Sequence, residues 1–421
     1  MIEVLSLLAA ILGVTVQDLT AKVKKYRQQW SDKRILEREA AARAFASPNA
    51  LAQAVAAYYS GSRGEGPLRR YCLNVGEQEV PTSVYCQPEW LRQCSDLSAV
   101  SVSLRSHPIS PPPIATSRRL LAYGAERLAR MQVLGAVLYD DPLYALSSID
   151  PSTGALTFSE ASFLQARFGA ALVGDELSDA LTAKQGDLAE VVREADSLLP
   201  LRKAFYPSLA ELANYGSRIT GGGIGVVVAL AVPNGFRIPI QVRSDKVADG
   251  ARLRAVVPKA YHQAGVGQEI EVYPYWTALR ELFEECFNND EAARDSRHLL
   301  HDWYLNENEA VAHVHKNRGQ GVQTWFHGVA LNGVNGNYEL AITIVIEDES
   351  FLPNFGNKFM HNWEIKNWDL LETRDQNAIS RALTDPTLVN ESRFHLAESL
   401  LALRARFPER VAEPLINRFF Q

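Results

Sequence analysis

Residues 277–286 read TALRELFEEC, an apolar run that contains a cluster of charged side chains. Glu281, Glu284 and Glu285 stand at positions i, i+3 and i+4, which share one face of an α-helix. The intervening leucine and phenylalanine residues supply an apolar face that can hold such a helix against a core. The pattern therefore predicts a helix over residues 277–287 with three carboxylates on one patch.

The patch of three glutamates has two interpretations. In the first, it is the solvated face of a surface helix. In the second, it binds a cation, because like charges at this spacing repel one another and no lysine is interspersed among them. Mg²⁺ and Mn²⁺ take carboxylate oxygens as ligands and would remove this repulsion. The second interpretation predicts that Glu281, Glu284 and Glu285 are metal ligands.

Apolar strands surround this helix in the sequence. We expect a strand in residues 218–232, RITGGGIGVVVALAV, followed by a hairpin turn at VPNGF. Further strands are predicted at residues 237–244, 252–263, 325–333 and 338–348. The glycines at 221–223 precede their strand, whereas a dinucleotide-binding loop follows a strand and opens a helix. The glycines therefore do not predict a phosphate loop.

Together these elements resemble the Nudix hydrolase superfamily, whose signature is G-x5-E-x7-R-E-U-x-E-E-x-G-U, with U an aliphatic residue. Gly265 and Glu271 match G-x5-E, and residues 280–285 match R-E-U-x-E-E. The strand order and a helical tail at residues 395–407 are also similar, so the resemblance covers roughly residues 215–410. It implies an α+β chain with a C-terminal Nudix-like α/β/α sandwich and mixed sheet, preceded by a mostly helical N-terminal region.

The chain departs from the family's pattern at four places. Eight residues separate Glu271 from Arg280 where the family has seven, Phe287 replaces the final glycine, and Asn288 stands at the following aliphatic position. Lys259 and Ala260 stand where the family has a double glycine before the box. An altered box of this kind resembles Nudix-like domains that bind a nucleotide-type ligand without efficient turnover.

The resemblance assigns roles to individual residues. Glu281, Glu284 and Glu285 would be catalytic residues and ligands of Mg²⁺ or Mn²⁺. Arg280 would hold the loop glutamate Glu271, and both would belong to the catalytic set. The inserted residue changes the loop geometry around Glu271.

Three other side chains are candidates for ligand binding. Arg243, Lys259 and His262 stand in or near predicted strand ends, where cations beside a metal suit a diphosphate. His262 has the alternative role of a structural histidine. The tryptophans that could stack on a base, or instead belong to the aromatic core, are Trp325, Trp363 and Trp368.

The resemblance implies a Nudix-like nucleotide-binding sensor or regulatory protein with residual Mg²⁺-dependent hydrolysis. One alternative is an active Nudix hydrolase that cleaves a nucleoside diphosphate linked to another moiety. Another alternative is a membrane-associated effector in bacterial antiphage defence, because similar domains occur in bacterial regulators and conflict-system proteins. All three take a nucleotide-type small molecule as ligand.

Composition limits the class of protein. The chain has 421 residues, 47% hydrophobic residues and a net charge of −6. These values indicate a globular protein with a large core and give no general attraction for nucleic acid. The four cysteines lack zinc-site spacing, which favours reduced thiols in a cytoplasmic protein.

The N-terminal segment has two interpretations. Residues 1–17 are mostly apolar and a basic stretch follows them, a pattern that fits an anchor in the inner membrane or an interfacial helix. Alternatively, they form a buried helix that packs on the rest of the chain or on a second subunit, which makes the N-terminal helices candidates for homo-oligomer contacts. One long helix is predicted for residues 20–45, since they contain neither glycine nor proline.

The predicted organisation has four parts. The hydrophobic segment 1–17 is followed by a helical region with short strands at 18–106. The proline-rich stretch HPISPPPI opens a linker and α/β middle region at 107–214. The Nudix-like domain is predicted at 215–421.

Overall fold

The computed structural model describes residues 5, 8–10, 15–29, 31–105, 114–136, 140–247, 250–263, 272–287, 302–359, 362–413 and 416–421. The helices are α1 Val16–Gln29, α2 Asp32–Phe45, α3 Pro48–Tyr58, α4 Ile114–Leu134, α5 Phe163–Arg167, α6 Leu172–Ala183, α7 Leu188–Arg193, α8 Ala195–Leu198, α9 Pro200–Phe205, α10 Leu209–Ala213, α11 Pro274–Cys286, α12 Tyr304–Glu307, α13 Glu309–Lys316, α14 Phe351–Phe355, α15 Gln376–Thr384 and α16 Asn390–Arg406.

The strands are β1 Arg69–Val75, β2 Gln78–Val80, β3 Val84–Cys86, β4 Leu91–Asp96, β5 Val102–Arg105, β6 Pro142–Ile149, β7 Leu156–Ser162, β8 Gly222–Val232, β9 Gly235–Arg243, β10 Arg254–Val256, β11 Lys259–Tyr261, β12 Val322–Asn332, β13 Tyr338–Ile346, β14 Ile365–Glu372 and β15 Ile416–Phe420.

A twelve-stranded mixed sheet forms the centre of the molecule. Its order is β10-β9-β8-β13-β12-β3-β1-β15, with β11 also on β8, β14 on β9, β2 on β1 and β4 on β12. Strands β8 and β13 pair in parallel, and the other pairs of this sheet are antiparallel. The predicted α+β class with a mixed sheet is therefore confirmed. A smaller sheet has the order β5-β7-β6.

The central strands follow from their apolar runs. All residues of β13 and all but the last of β8 are buried, as expected for neighbouring parallel strands covered on both faces. The predicted hairpin after β8 is confirmed, since Val232 pairs with Gly235 across a two-residue turn. The predicted helix at 277–287 corresponds to α11, and the helical tail corresponds to α16.

The single strand predicted for residues 252–263 is wrong, because this stretch forms two short strands. Strand β10 pairs with β9, whereas β11 pairs with β8. The break falls at Pro258, which has no backbone N–H to donate to a strand ladder. The chain thus moves from one neighbour to the next and brings β11 beside the start of β8.

The single helix predicted for residues 20–45 is also wrong. Ser31 caps α2, because its hydroxyl accepts a hydrogen bond from the Arg34 backbone N–H. A serine at this position satisfies the N–H groups at a new helix start and so favours two helices over one. The two helices pack differently: α1 contacts α4, whereas α2 contacts both α6 and α4.

Partly buried ion pairs connect these N-terminal helices. Arg38 lies 2.6 Å from Glu126 and 3.0 Å from Asp179, measured between charged N and O atoms. Arg130 pairs with the same Asp179 at 2.9 Å and with Glu39 at 2.6 Å. Because each charge has an oppositely charged partner, the helices can bury them without leaving an isolated charge.

Part of the N-terminal apolar segment packs in the main core, whereas its described residues Ala10 and Val16 are exposed. Leu8 and Ala9 are buried there, and Leu5 packs against it. Among the residues that the structure describes, no helix is long and apolar enough to cross a membrane.

The four-part division of the chain stays a prediction, but the large sheet combines strands from two of those parts. Strands β3 and β4 both pair with β12, and β15 pairs with β1. The thiols of Cys72, Cys86 and Cys286 are free and buried, as expected for reduced cysteines.

Candidate functional site

Helix α11 places its charged residues inside the protein. Every residue of the helix except Trp276 is buried. Glu281, Glu284 and Glu285 are only 5%, 7% and 1% exposed. The interpretation of the glutamates as a solvated helix face is therefore wrong. The helix is covered by protein on its apolar face and also on the face that carries the glutamates.

Glu285 is held by polar groups of the sheet. Its carboxylate accepts a hydrogen bond of 3.1 Å from Gln241 Nε2 and lies 3.3 Å from the Lys259 backbone nitrogen, which also donates to it. Burial raises the pKa of Glu285 well above its usual value, and the nearby Glu364 and Glu281 raise this pKa further. These contacts give Glu285 a role in joining α11 to β9 and β11.

Arg280 contacts two glutamates of its own helix and one residue outside it. Its Nη2 donates to Glu281 Oε1 at 3.1 Å and to Gln263 Oε1 at 3.2 Å, and its Nε lies 3.8 Å from Glu284 Oε1. Arg280 therefore holds the glutamates of its own helix. Glu271, the partner implied by the family resemblance, lies outside the described residues, as does Gly265.

A cavity of about 270 Å³ opens beside this helix. Glu281 and Glu284 line it, whereas Glu285 faces Gln241 and Lys259. The other acidic residues in its lining are Asp141, Glu339, Glu364 and Glu391. The cavity thus gathers carboxylates from five separate parts of the chain.

The carboxylates are close enough to influence one another. The pKa of Glu281 is raised to about 7: burial is the main cause, the charges of Glu364 and Asp141 add to the rise, and Arg280 opposes it. The described lining of the cavity contains six acidic side chains and two cationic ones. A divalent cation would reduce the repulsion among these acidic side chains, and carboxylate oxygens are the ligands that Mg²⁺ and Mn²⁺ prefer.

Two cationic side chains line the same cavity. Arg243 ends β9, and its Nη1 donates to the Lys259 carbonyl at 3.5 Å. Lys259 begins β11, and its Nζ lies 3.8 Å from Glu339 Oε2. Predicted ligand-binding residues and predicted metal ligands are therefore brought together in one cavity.

Glycines form part of the cavity wall. Gly222 and Gly223 line it at the start of β8. A Cβ on Gly223 would lie 2.0 Å from the Ala260 carbonyl oxygen, and one on Gly222 would lie 2.2 Å from the Tyr338 carbonyl oxygen. These glycines permit close approach of strands, consistent with the inference that they are not a loop that opens a helix.

His262 lies in the core instead of the cavity lining. It is fully buried, and its ring centroid lies 4.8 Å from that of Tyr144 and 4.9 Å from that of Phe158. Its Nδ1 is 3.2 Å from the Tyr338 hydroxyl. This environment matches the alternative role of a structural histidine.

The three tryptophans have different surroundings. Trp363 lines the cavity. Trp325 is buried and stacks on Phe407, and Trp368 packs against Phe359. Of these three residues, the structure places only Trp363 where it could contact a cavity ligand.

Sequence reasoning missed the residues that come from distant segments. Asp141 and Phe163 belong to the middle region, and Glu364 directly precedes β14. Their only local signal is weak, an acidic pair at 140–141 directly before the apolar residues of β6. No spacing rule connects such residues with a helix elsewhere in the chain.

The donor set fits a hard cation in chemistry, although the side chains are not arranged around one. Within the described ranges, no three His, Cys, Asp or Glu side chains converge closely enough to hold a metal ion. A bound cation would therefore require side-chain rotation of Glu281, Glu284 or their neighbours.

No protein-family model matches the chain, and no matching sequence was found among curated proteins.

Proposed function

We propose that the cavity binds a nucleotide-type ligand, such as a nucleoside diphosphate, together with Mg²⁺ or Mn²⁺. One observation carries this proposal: buried carboxylates of α11 and the cations Arg243 and Lys259 line a single cavity. A diphosphate needs cationic partners, and a divalent cation needs carboxylate oxygens. The protein would then be a Nudix-like sensor or regulatory protein with residual hydrolytic activity.

The residues divide the binding work by charge. Glu281 and Glu284, with Asp141 or Glu364 beside them, would hold the cation. Bound Mg²⁺ would polarise a phosphoryl oxygen and lower the pKa of a coordinated water. Lys259 would orient the phosphates.

The sensor interpretation draws support from Glu285. Its carboxylate already accepts hydrogen bonds from Gln241 and the Lys259 backbone. In the motif of the resembled family, all three glutamates would be available to bind the cation. The use of Glu285 in fixing α11 to the sheet favours binding with slow turnover.

The active-hydrolase alternative draws support from Glu281. Its pKa of about 7 would allow this carboxyl group to exchange a proton near neutral pH, as a general acid or base must. Incubation of the protein with the nucleotide and Mg²⁺, followed by chromatographic analysis of the products, distinguishes the sensor from the active hydrolase. Multiple turnovers would favour the enzyme, and unchanged ligand would favour the sensor.

The experiment that tests binding is a thermal-shift series with adenosine diphosphate, Mg²⁺, Mn²⁺ and chelator. We expect the wild type to gain stability with nucleotide and metal together, and Glu284→Gln to lose most of that gain because one ligand charge is gone. Glu37→Gln is the control, since Glu37 is an exposed helix residue that does not line the cavity. A wild type that responds to neither metal nor nucleotide would refute the proposal.

Attachment to the inner membrane through residues 1–17 is a separate proposal from the apolar sequence pattern. Burial of Leu8 and Ala9 in the core favours the alternative of a packed helix. Deletion of residues 1–17 would move an anchored protein from the membrane fraction to the soluble fraction. Homo-oligomer contacts through the N-terminal helices and a role in antiphage defence stay predictions of the sequence.

A further inference from the structure

The middle region reaches the candidate site through the open end of a strand pair. Strands β6 and β7 are antiparallel and pair Pro142 with Ser162. Asp141 and Phe163 directly flank this pair, and the Phe163 backbone N–H donates to the Asp141 carbonyl at 2.9 Å. Both residues line the cavity.

Hydrogen bonds fix this end of the strand pair to the large sheet. The Tyr144 N–H donates to the His262 carbonyl at 2.9 Å, and the Tyr338 hydroxyl donates to the Tyr144 carbonyl at 2.8 Å. Leu143 also forms a bridge with Gln263. The middle region is therefore joined to the strand that carries Lys259 and Tyr261.

The Phe163 ring itself has a defined position. Ser162 and Gln165 form a capping box around the first turn of α5, which fixes the backbone at Phe163. Its ring meets that of Tyr261 edge to face, with centroids 5.1 Å apart and planes at 87°. The Tyr261 hydroxyl accepts a hydrogen bond of 3.3 Å from Asn337 Nδ2. Both rings are half-buried and line the cavity.

The aromatic pair is next to the phosphate-binding cation proposed above. Lys259 and Tyr261 are two residues apart on β11, so both side chains project from the same face of the strand. Their Cα atoms are separated by about 7 Å on an extended strand. One ligand can therefore contact the ammonium group with a phosphate and the aromatic rings with another part.

We propose that Phe163 and Tyr261 form the platform for a planar aromatic base of the ligand. This inference rests on the proposed function, and it adds that the middle region determines ligand specificity. Lys259 and Arg243 hold the phosphates, which any diphosphate supplies. The aromatic pair distinguishes a nucleoside diphosphate from inorganic diphosphate, because a base has a flat face that can stack on a ring.

The test compares two probes by calorimetry in Mg²⁺: adenosine diphosphate and inorganic diphosphate. We expect the wild type to bind adenosine diphosphate at least about tenfold more tightly than inorganic diphosphate, because one stacked base contributes a free energy of this size. Phe163→Leu should weaken the affinity for adenosine diphosphate by about tenfold and leave the affinity for inorganic diphosphate unchanged. Phe163→Tyr should keep the preference, because the ring is retained.

Phe205→Leu is the matched control, since Phe205 is a half-buried helix phenylalanine that does not line the cavity. Thermal unfolding of each variant checks that it is folded, and Tyr261→Leu repeats the test from the other ring. If Phe163→Leu and Tyr261→Leu leave the affinity ratio unchanged, or weaken both probes equally, the platform is refuted while diphosphate binding stands. If the wild type binds neither probe, the proposed function fails and this inference fails with it.

Discussion

The protonation of Glu281 is controlled by its burial and by two neighbouring acids. In the unfolded chain a glutamate has a pKa of 4.5, whereas the folded environment raises that of Glu281 to about 7. Between these values the folded protein binds more protons than the unfolded chain. A rise in pH across this window therefore favours unfolding, and the full penalty remains above the folded pKa.

This shift predicts the stability of the metal-free protein. The free energy of unfolding should fall as pH rises from about 5 to about 7, by on the order of 3 kcal/mol for Glu281. Glu281→Gln should remove this loss, because its amide stays neutral and its oxygen can still accept from Arg280. Urea unfolding in the presence of chelator at pH 5, 6, 7 and 8 measures this free energy. The variant Glu37→Gln is the control, because Glu37 is exposed. Parallel pH curves for the wild type and Glu281→Gln would contradict the prediction.

Element types follow largely from local pattern, whereas the completed site does not. The apolar runs of β8 and β13 and the charged helix α11 are evident in the sequence because each element is set by its own residues. The helix break at Ser31 depends on one capping hydroxyl. The sequence prediction of a single helix gave more weight to the absence of glycine and proline than to this serine. The split at Pro258 depends on which neighbour each half can pair with.

The cavity lining shows the same limit at the level of packing. Glu281 and Lys259 belong to the segment that carries the family resemblance, and they were predicted. Asp141 and Phe163 reach the cavity only because β6 and β7 dock on the segment around His262. Burial of Glu285 likewise depends on Gln241, which no helical periodicity can indicate.

A buried arginine connects two elements near the site. Arg202 on α9 is fully buried and donates to the Gly333 carbonyl at 2.7 Å and to the Val334 carbonyl. Glu176 on α6 accepts hydrogen bonds from the Leu201 and Arg202 backbone N–H groups at 2.7 and 2.8 Å. Helices α6 and α9 therefore hold the β12–β13 turn, whose residues 334, 335 and 337 line the cavity.

Removal of this contact should have both a stability and a binding effect. Arg202→Met leaves two carbonyl groups without their donor, and we expect a loss of about 2–4 kcal/mol in the free energy of unfolding. The turn would then be less fixed, so nucleotide affinity should also decrease. Lys203→Met is the control, because Lys203 is exposed and its ion pair with Asp196 lies at the surface. Denaturant titration and calorimetry measure both quantities; equal stability of the two variants would show that Arg202 does not hold the turn.

At the scale of the molecule, the large sheet depends on both ends of the chain. Strand β12 has β13 on one side and β3 and β4 on the other. The C-terminal strand β15 has β1 as its partner, with pairs from Tyr71–Phe420 to Val75–Ile416. The segment with the family resemblance therefore shares its sheet and its core with the N-terminal strands.

This continuity predicts the behaviour of residues 215–421 expressed alone. One edge of β12 would lose its partners, β15 would lose β1, and unpaired strand edges and apolar surface promote aggregation. We expect the fragment to be insoluble or to lack a cooperative thermal transition, measured by circular dichroism and dispersion of amide NMR signals. Co-expression with residues 1–214 should restore a soluble complex with cooperative unfolding, because the missing strands are supplied in trans. A fragment that unfolds cooperatively alone, at the temperature of the full chain, would show that residues 215–421 form an independent domain and that the N-terminal strands are an addition to it.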